Sequence, residues 1–161
     1  MGLVILDELS EIKSRYKRRE ESISKNKYAL TNAHILLIVQ EKEREMIKFL
    51  KKYDLLPLQD KTILEIGCGT GQNLIEFIRM GANPKNIIGN DLLENRISTA
   101  KKLLPQEVEL ICDDASTLDL PDHSFDIILQ STVFTSILDD ELQIKIANHM
   151  CELLKHDNII Q

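Results

Sequence analysis

In the run Thr62-Ile63-Leu64-Glu65-Ile66-Gly67-Cys68-Gly69-Thr70-Gly71-Gln72-Asn73-Leu74, a short apolar stretch stops at a glycine. Two more glycines follow at alternate positions, and then a helical pattern begins. The apolar part reads as a buried strand and residues 71–80 as a helix, closed by Gly81 and Pro84. Glycines between them let the backbone turn sharply and approach a ligand closely. The turn opens a helix N-terminus, whose free N–H groups attract a carboxylate or a phosphate.

The same alternation continues downstream. Asn86–Asp91 reads as a second strand, followed by a helix over 94–104. Glu107–Cys112 and Phe125–Gln130 read as third and fourth strands, and residues 139–154 as a helix with Leu142, Ile146, Met150 and Leu153 on its apolar face. Ile159-Ile160 begins a fifth apolar run. Strands that alternate with helices of this length pair in parallel through right-handed crossovers. Nearly continuous apolar strands are expected when helices cover both sheet faces. The expected fold is therefore a doubly wound, three-layer α/β domain. In such sheets ligands bind beyond the carboxyl ends of the strands. Four strand ends present glycine or polar residues there: Gly67–Gly71, Asp91, Asp113-Asp114-Ala115 and Gln130-Ser131-Thr132. An acid at Asp91, 20 residues beyond Gly71, is placed to accept from both hydroxyls of a ribose.

Upstream of the glycine turn the chain reads differently. Residues 1–30 are polar and mixed, expected as one or two short helices. From Thr31 apolar residues fall at helical spacing (Ile35, Ile38, Val39, Met46, Phe49, Leu50, Tyr53), with Thr31 or Asn32 as N-cap. Residues 54–60, with Pro57 inside, read as a loop. Charge divides along the same line. Residues 11–27 carry seven Lys/Arg and three Glu, whereas residues 86–140 carry three basic and eleven acidic residues. The basic stretch reads as a solvated helix face or a lid rather than a nucleic-acid arm, because the acidic body repels phosphates and aromatics are only 4% of the chain. A cationic ligand suits that body better.

At 161 residues, with 43% hydrophobic and 29% charged residues, the chain has the size and apolar content of one folded domain, which excludes a disordered chain. It shows no secretory leader and no transmembrane run. Cys68, Cys112 and Cys151 have neither metal nor redox spacing, so a reducing, cytoplasmic home is expected. Cys112 is expected in the core, and no metal site is visible. Of the histidines, His34 reads as structural at a helix start. His123, in the loop before strand four, is weighed as reaching a substrate and read as bland.

Glu65-Ile66-Gly67-Cys68-Gly69-Thr70-Gly71 resembles motif I of the class I S-adenosylmethionine-dependent methyltransferases. Asp91, Asp114-Ala115 and Ser124-Phe125-Asp126-Ile127-Ile128-Leu129-Gln130 resemble three further motifs of that family, in register over residues 58–156. The nicotinamide-binding pattern G-x-G-x-x-G fails at Gln72. The resemblance implies S-adenosyl-L-methionine as cofactor and S-adenosyl-L-homocysteine as product. It implies a cofactor site of Glu65, Gly67, Cys68, Gly69, Gly71, Asp91, Leu92, Asp114, Ala115 and Gln130. In it the Gly67–Gly71 backbone meets the methionine part and Glu65 supports the ammonium. Asp91 takes the ribose hydroxyls, and Leu92 packs on the adenine. Asp114 and Ala115 meet the adenine edge, and the Gln130 backbone faces the transferred methyl. No catalytic dyad is obligatory for such a displacement, and no catalytic residue is singled out.

The family's base-methylating members carry Asn/Asp-Pro-Pro-aromatic after strand four. Here Gln130-Ser131-Thr132-Val133-Phe134 stands instead, which disfavours nucleic acid as acceptor. A small molecule or a sugar hydroxyl is expected. The alternatives are a protein or lipid-like acceptor, or a non-catalytic cofactor-binding protein. Thr132–Ile137 and the Tyr16–Tyr28 region are the expected substrate walls. The expected division is an N-terminal helical extension or lid over 1–57 and a cofactor domain over 58–161. Relatives continue past strand five with further strands, so a C-terminally shortened sheet of order 3-2-1-4-5 is expected. Strand five would begin near Asn158. The expected outer edge, with exposed apolar neighbours such as Ile127 and Ile146, suggests a homodimer through that edge.

Overall fold

The computed structural model describes residues 2–22 and 29–155. The chain divides into two compact units, one of residues 1–13 and 57–161, the other of residues 14–56. Among the described residues nine α-helices and strands follow in order: α1 (Gly2–Ser22), α2 (Ala33–Lys52), β1 (Ile63–Ile66), α3 (Gln72–Arg79), β2 (Ile87–Asp91), α4 (Glu94–Leu103), β3 (Glu109–Cys112), β4 (Ile127–Gln130) and α5 (Asp140–Leu153). The N-terminal region forms one helix of 21 residues where one or two short ones were expected. No Gly or Pro interrupts its alternating charges after Gly2.

In the residue 14–56 unit, α2 starts at Asn32, whose side chain accepts from the His34 N–H at 3.1 Å. Ile35, Val39, Met46 and Phe49 line its half-buried stripe and Leu50 is fully buried, but Ile38 and Tyr53 are exposed. The expected apolar face is therefore narrower than the helical spacing suggests.

The α/β unit carries a sheet of order β3-β2-β1-β4, parallel throughout. Ile63, Leu64, Glu65 and Ile66 of the central β1 pair with Ile87–Asn90 on one side and Ile127–Gln130 on the other, and all four are buried. Right-handed crossovers put α3 and α4 on one face, because both carry the chain from β1 toward β3. Beyond β4 the chain returns through α5 on the other face. Leu154 then makes a parallel bridge with Phe125, and Lys155 N–H donates to the Phe125 carbonyl at 2.9 Å. Pairing on the outer side of β4 thus begins at Leu154, four residues before the expected strand five. The rest of that expected strand, with Ile159 and Ile160, lies outside the described residues, as does His156.

Two burial expectations are corrected. Ile127 of β4 and Ile146, on the buried face of α5 with Leu142, Met150 and Leu153, are 5% and 3% exposed, so they form no exposed apolar edge. Cys112 is exposed rather than in the core, because it ends β3, the edge strand, whose outer residues are only half-buried or exposed. No helix among the described residues is long and apolar enough to cross a membrane.

Candidate functional site

Parallel pairing brings the ends of all four strands to one rim of the sheet. At its centre β1 runs into the glycine turn. Gly67, Gly69 and Gly71 have φ of 69°, 57° and 87°, the left-handed region that side chains resist. Cys68 N–H extends the ladder by donating to the Asn90 carbonyl at 2.8 Å, and Gly71 N–H closes the turn on the Cys68 carbonyl at 2.9 Å.

The three glycines answer to different neighbours. A Cβ on Gly67 would overlap Val133 Cγ2, from the segment after β4. A Cβ on Gly71 would lie 2.7 Å from Leu104 Cδ1. Gly69 alone faces open space, with Arg96 Nη1 as its nearest neighbour at 3.9 Å. Two of the glycines are thus required by the protein's own packing, and the third leaves a bare backbone at the rim. Gly71 is also the N-cap of α3 and supplies no side-chain hydrogen bond, so the first N–H groups of α3 have no side-chain cap.

Asp91, 5% exposed, ends β2 beside this turn. Its Oδ2 accepts from Gly69 N–H and its Oδ1 from Leu93 N–H, both at 2.9 Å. These bonds lock the carboxylate's orientation and leave each oxygen a further lone pair. Leu92 is half-buried next to it. Glu65 is completely buried in β1, where its Oε1 accepts from Asn73 Nδ2 of α3. On the third strand end, Asn90 Nδ2 donates to the Asp113 carbonyl at 2.9 Å and pins the exit of β3. Asp114 caps its own turn, accepting from Ser116 N–H at 2.9 Å and Ser116 Oγ at 2.8 Å, with Ala115 between them half-buried. Gln130 closes β4 opposite Ile66, and its buried Oε1 has no hydrogen-bond partner among the described residues.

The electrostatics of the turn register in Cys68. Burial pushes its thiol well above the ordinary range, and the charges of Glu65 and Asp91 add to this while Arg96 opposes them. Cys68 is therefore a neutral packing group. At Cys112, burial again raises the thiol, with Glu94 and Asp91 adding, and Lys13 of α1 counteracting.

The segment after β4 is built as a wall. Thr132 holds φ 66°, a strained value for a β-branched residue. Thr135 Oγ1 donates to the Thr132 carbonyl at 2.7 Å, and Gln143 Nε2 of α5 donates to the carbonyls of Phe134 (3.2 Å) and Ile137 (2.8 Å). Leu138 N–H donates to Glu8 Oε1 at 2.9 Å, so the first half of α1 meets this wall. Tyr16 belongs to the other unit, and residues 23–28 of the expected second wall lie outside the described residues.

His123 is not at this rim. Its N–H donates to the Glu152 carbonyl, and its Nδ1 lies 3.0 Å from the Leu154 carbonyl, before the start of β4 and thus at the opposite end of the sheet. Two residues at the rim, Asn73 and Arg96, escaped the sequence reading, as did two properties of the expected wall: the strain at Thr132 and the packing of Val133 on Gly67. Only Arg96 left a signal. It is a cation in the first turn of α4, where the helix dipole disfavours positive charge, whereas Lys101 and Lys102 sit in the favoured last turn.

A doubly wound parallel sheet with a glycine turn, an acid on the neighbouring strand and an open rim defines the class of α/β proteins that bind an adenosine-type cofactor at the strand ends. The chain belongs to the methyltransferase-domain family, whose pattern matches residues 63–157. It is 29% identical over 104 residues to malonyl-[acyl-carrier protein] O-methyltransferase of Bacteroides fragilis, covering 64% of this chain and 20% of that protein. It is 27% identical over 106 residues to tRNA N(3)-cytidine methyltransferase METTL2 of Gallus gallus, covering 61% of this chain and 28% of that protein. The chain thus spans less than a third of the length of either relative. Among solved structures, phosphoethanolamine N-methyltransferase 1 of Haemonchus contortus, in complex with phosphoethanolamine and S-adenosylhomocysteine, superposes with a TM-score of 0.68 at 16% identity, over 95% of this chain and 31% of that one. That likeness is one of fold. The fold and the family are those of methyltransferases.

Proposed function

We propose that the rim around Gly69 and Asp91 binds S-adenosylmethionine and that the protein methylates a small molecule or a sugar hydroxyl. The observation that carries this reading is the bare Gly69 backbone beside the oriented, buried Asp91 carboxylate. A Cβ would fill that cradle, and the acid's remaining lone pairs suit vicinal ribose hydroxyls. Leu92 packs on the adenine, Asp114 accepts from its amine, and Ala115 donates its N–H. Glu65, buried and negative, supports the ammonium end, and Gly67, Cys68 and Gly71 shape the turn that carries the tail. Gln130 borders the methyl. When bound, the cofactor supplies an electrophilic methyl on a sulfonium. The chain's own residues hold that group in line with the acceptor and exclude water, which is where most of the rate advantage of such a displacement resides. The wall Thr132–Ile137 faces the acceptor.

A second reading, an RNA acceptor, draws on the tRNA substrate in the name of one relative. Transfer of labelled methyl from S-adenosylmethionine to a small-molecule hydroxyl panel and to tRNA separates the two. Calorimetric titration with S-adenosylhomocysteine tests the site itself. Asp91→Ala removes two charge-assisted hydrogen bonds, and its affinity is expected to fall about tenfold to a few hundredfold. Wild-type affinity in the variant refutes the ribose role, and tighter binding of NADH or ATP than of S-adenosylhomocysteine refutes the site.

A further inference from the structure

Arg96 is out of place on two counts. It lies in the first turn of α4, against the helix dipole, and it is half-buried although it sits on a helix followed by solvent-exposed lysines. Its Nη1 is the nearest heavy atom among the described residues, at 3.9 Å, to the position a Cβ would take on Gly69, so the guanidinium borders the one glycine of this turn whose Cβ would not meet packed side chains. Around it the rim is acidic, with Glu65, Asp91, Glu94 and Asp113 within the same strand ends and loops. The other feature at this turn that favours an anion is the start of α3, which has no side-chain cap. A cation and an open helix N-terminus thus converge on a bare backbone in an otherwise negative crevice.

We propose that Arg96 binds the carboxylate of the cofactor's amino-acid tail. This rests on the cofactor reading above and deepens it by dividing the zwitterionic tail between two protein charges, the ammonium toward Glu65 and the carboxylate toward Arg96. A planar guanidinium offers a carboxylate two parallel N–H donors, which an ammonium cannot match. The arrangement also explains how an acidic crevice accepts a ligand that carries a carboxylate. It predicts selectivity: nucleosides without the amino-acid tail lose this contact.

The test uses two probes that share the adenosine and the sulfur, S-adenosylhomocysteine, which has the tail, and 5′-methylthioadenosine, which lacks it. Both are titrated calorimetrically into the wild-type protein and into Arg96→Gln, Arg96→Ala and Arg96→Lys, with circular dichroism melts to check folding. Arg96→Gln keeps a polar, helix-compatible side chain without the charge and stands in if Arg96→Ala unfolds. The expected result is that Arg96→Gln and Arg96→Ala weaken S-adenosylhomocysteine about tenfold to a hundredfold and change methylthioadenosine less than about twofold, with Arg96→Lys intermediate. An equal loss for both probes overturns the assignment and places the guanidinium against the nucleoside instead. No loss for either also overturns it. If wild type binds neither probe, the cofactor reading falls and this assignment falls with it. If wild type binds both while the ratio is unmoved by substitution, only the role of Arg96 falls.

Discussion

At the scale of single residues, the glycine turn separates positions closed by packing from one that is open, although the sequence repeats one residue type. Alanine at Gly67 meets both a φ of 69° and the Val133 methyl, and Val133 is held by the tied segment after β4. Alanine at Gly69 meets the positive φ alone. Gly67→Ala is therefore expected to cost about 2 kcal/mol or more of stability and Gly69→Ala about 1 kcal/mol. Binding of S-adenosylhomocysteine is expected to rank the other way, with Gly69→Ala the weaker binder, because its Cβ enters the cradle. Urea melts beside calorimetry check this, and a Gly69→Ala protein less stable than Gly67→Ala yet binding normally contradicts it.

At the scale of elements, α5 depends on its N-terminus. Asp139 accepts from Glu141 N–H at 2.8 Å and Leu142 N–H at 3.2 Å, and Leu142 is the first fully buried residue of the helix. Its first turn also carries Asp140 and Glu141, which the dipole favours. One turn further on, Gln143 satisfies two carbonyls of the segment after β4. Asp139→Ala is expected to lower stability by about 1 kcal/mol. Because the frayed turn includes Gln143, hydrogen exchange in residues 133–138 is expected to quicken as well. Exchange that quickens only within α5 shows that the wall stands independently of the helix start.

At the scale of the whole molecule, one polar cluster ties together parts far apart in sequence. Asp126 Oδ2 accepts from Thr62 N–H, Thr62 Oγ1 and Lys155 Nζ, each at 2.8 Å. It joins the entry of β1 to that of β4 and to the chain after α5, at the end of the sheet away from the candidate site. Burial pushes the Asp126 carboxyl up, but the Lys155 ammonium and the Thr62 donors outweigh it, and the net value lies below the ordinary 3.8. A carboxyl lowered by folding contributes stability above its unfolded value and loses it as pH falls through the folded value. Asp126→Asn is therefore expected to be less stable than wild type at pH 6 and to approach it as the pH falls below the ordinary carboxyl value of 3.8. Chemical denaturation across that range checks the sign. A constant gap between the two proteins refutes the linkage.

Much of the architecture was legible because it depends on local chemistry. Apolar strands, helix stops and the alternation of the two dictate a parallel doubly wound sheet, and the glycine turn and Asp91 mark its candidate rim without reference to packing. Strand β1 and helices α3 to α5 fall within a residue or two of their expected bounds for that reason. What side chains meet across the fold is not local. Only the tertiary structure shows that Val133 covers Gly67, that Leu104 fills the space by Gly71 and that Gly69 is left bare beside Arg96. Only it shows that His123 is tied to the far end of the sheet and that Ile127 and Ile146 are covered. Cys112 reads as core by composition but ends an edge strand, because strand order is set by which crossovers pack rather than by any residue in the strand itself.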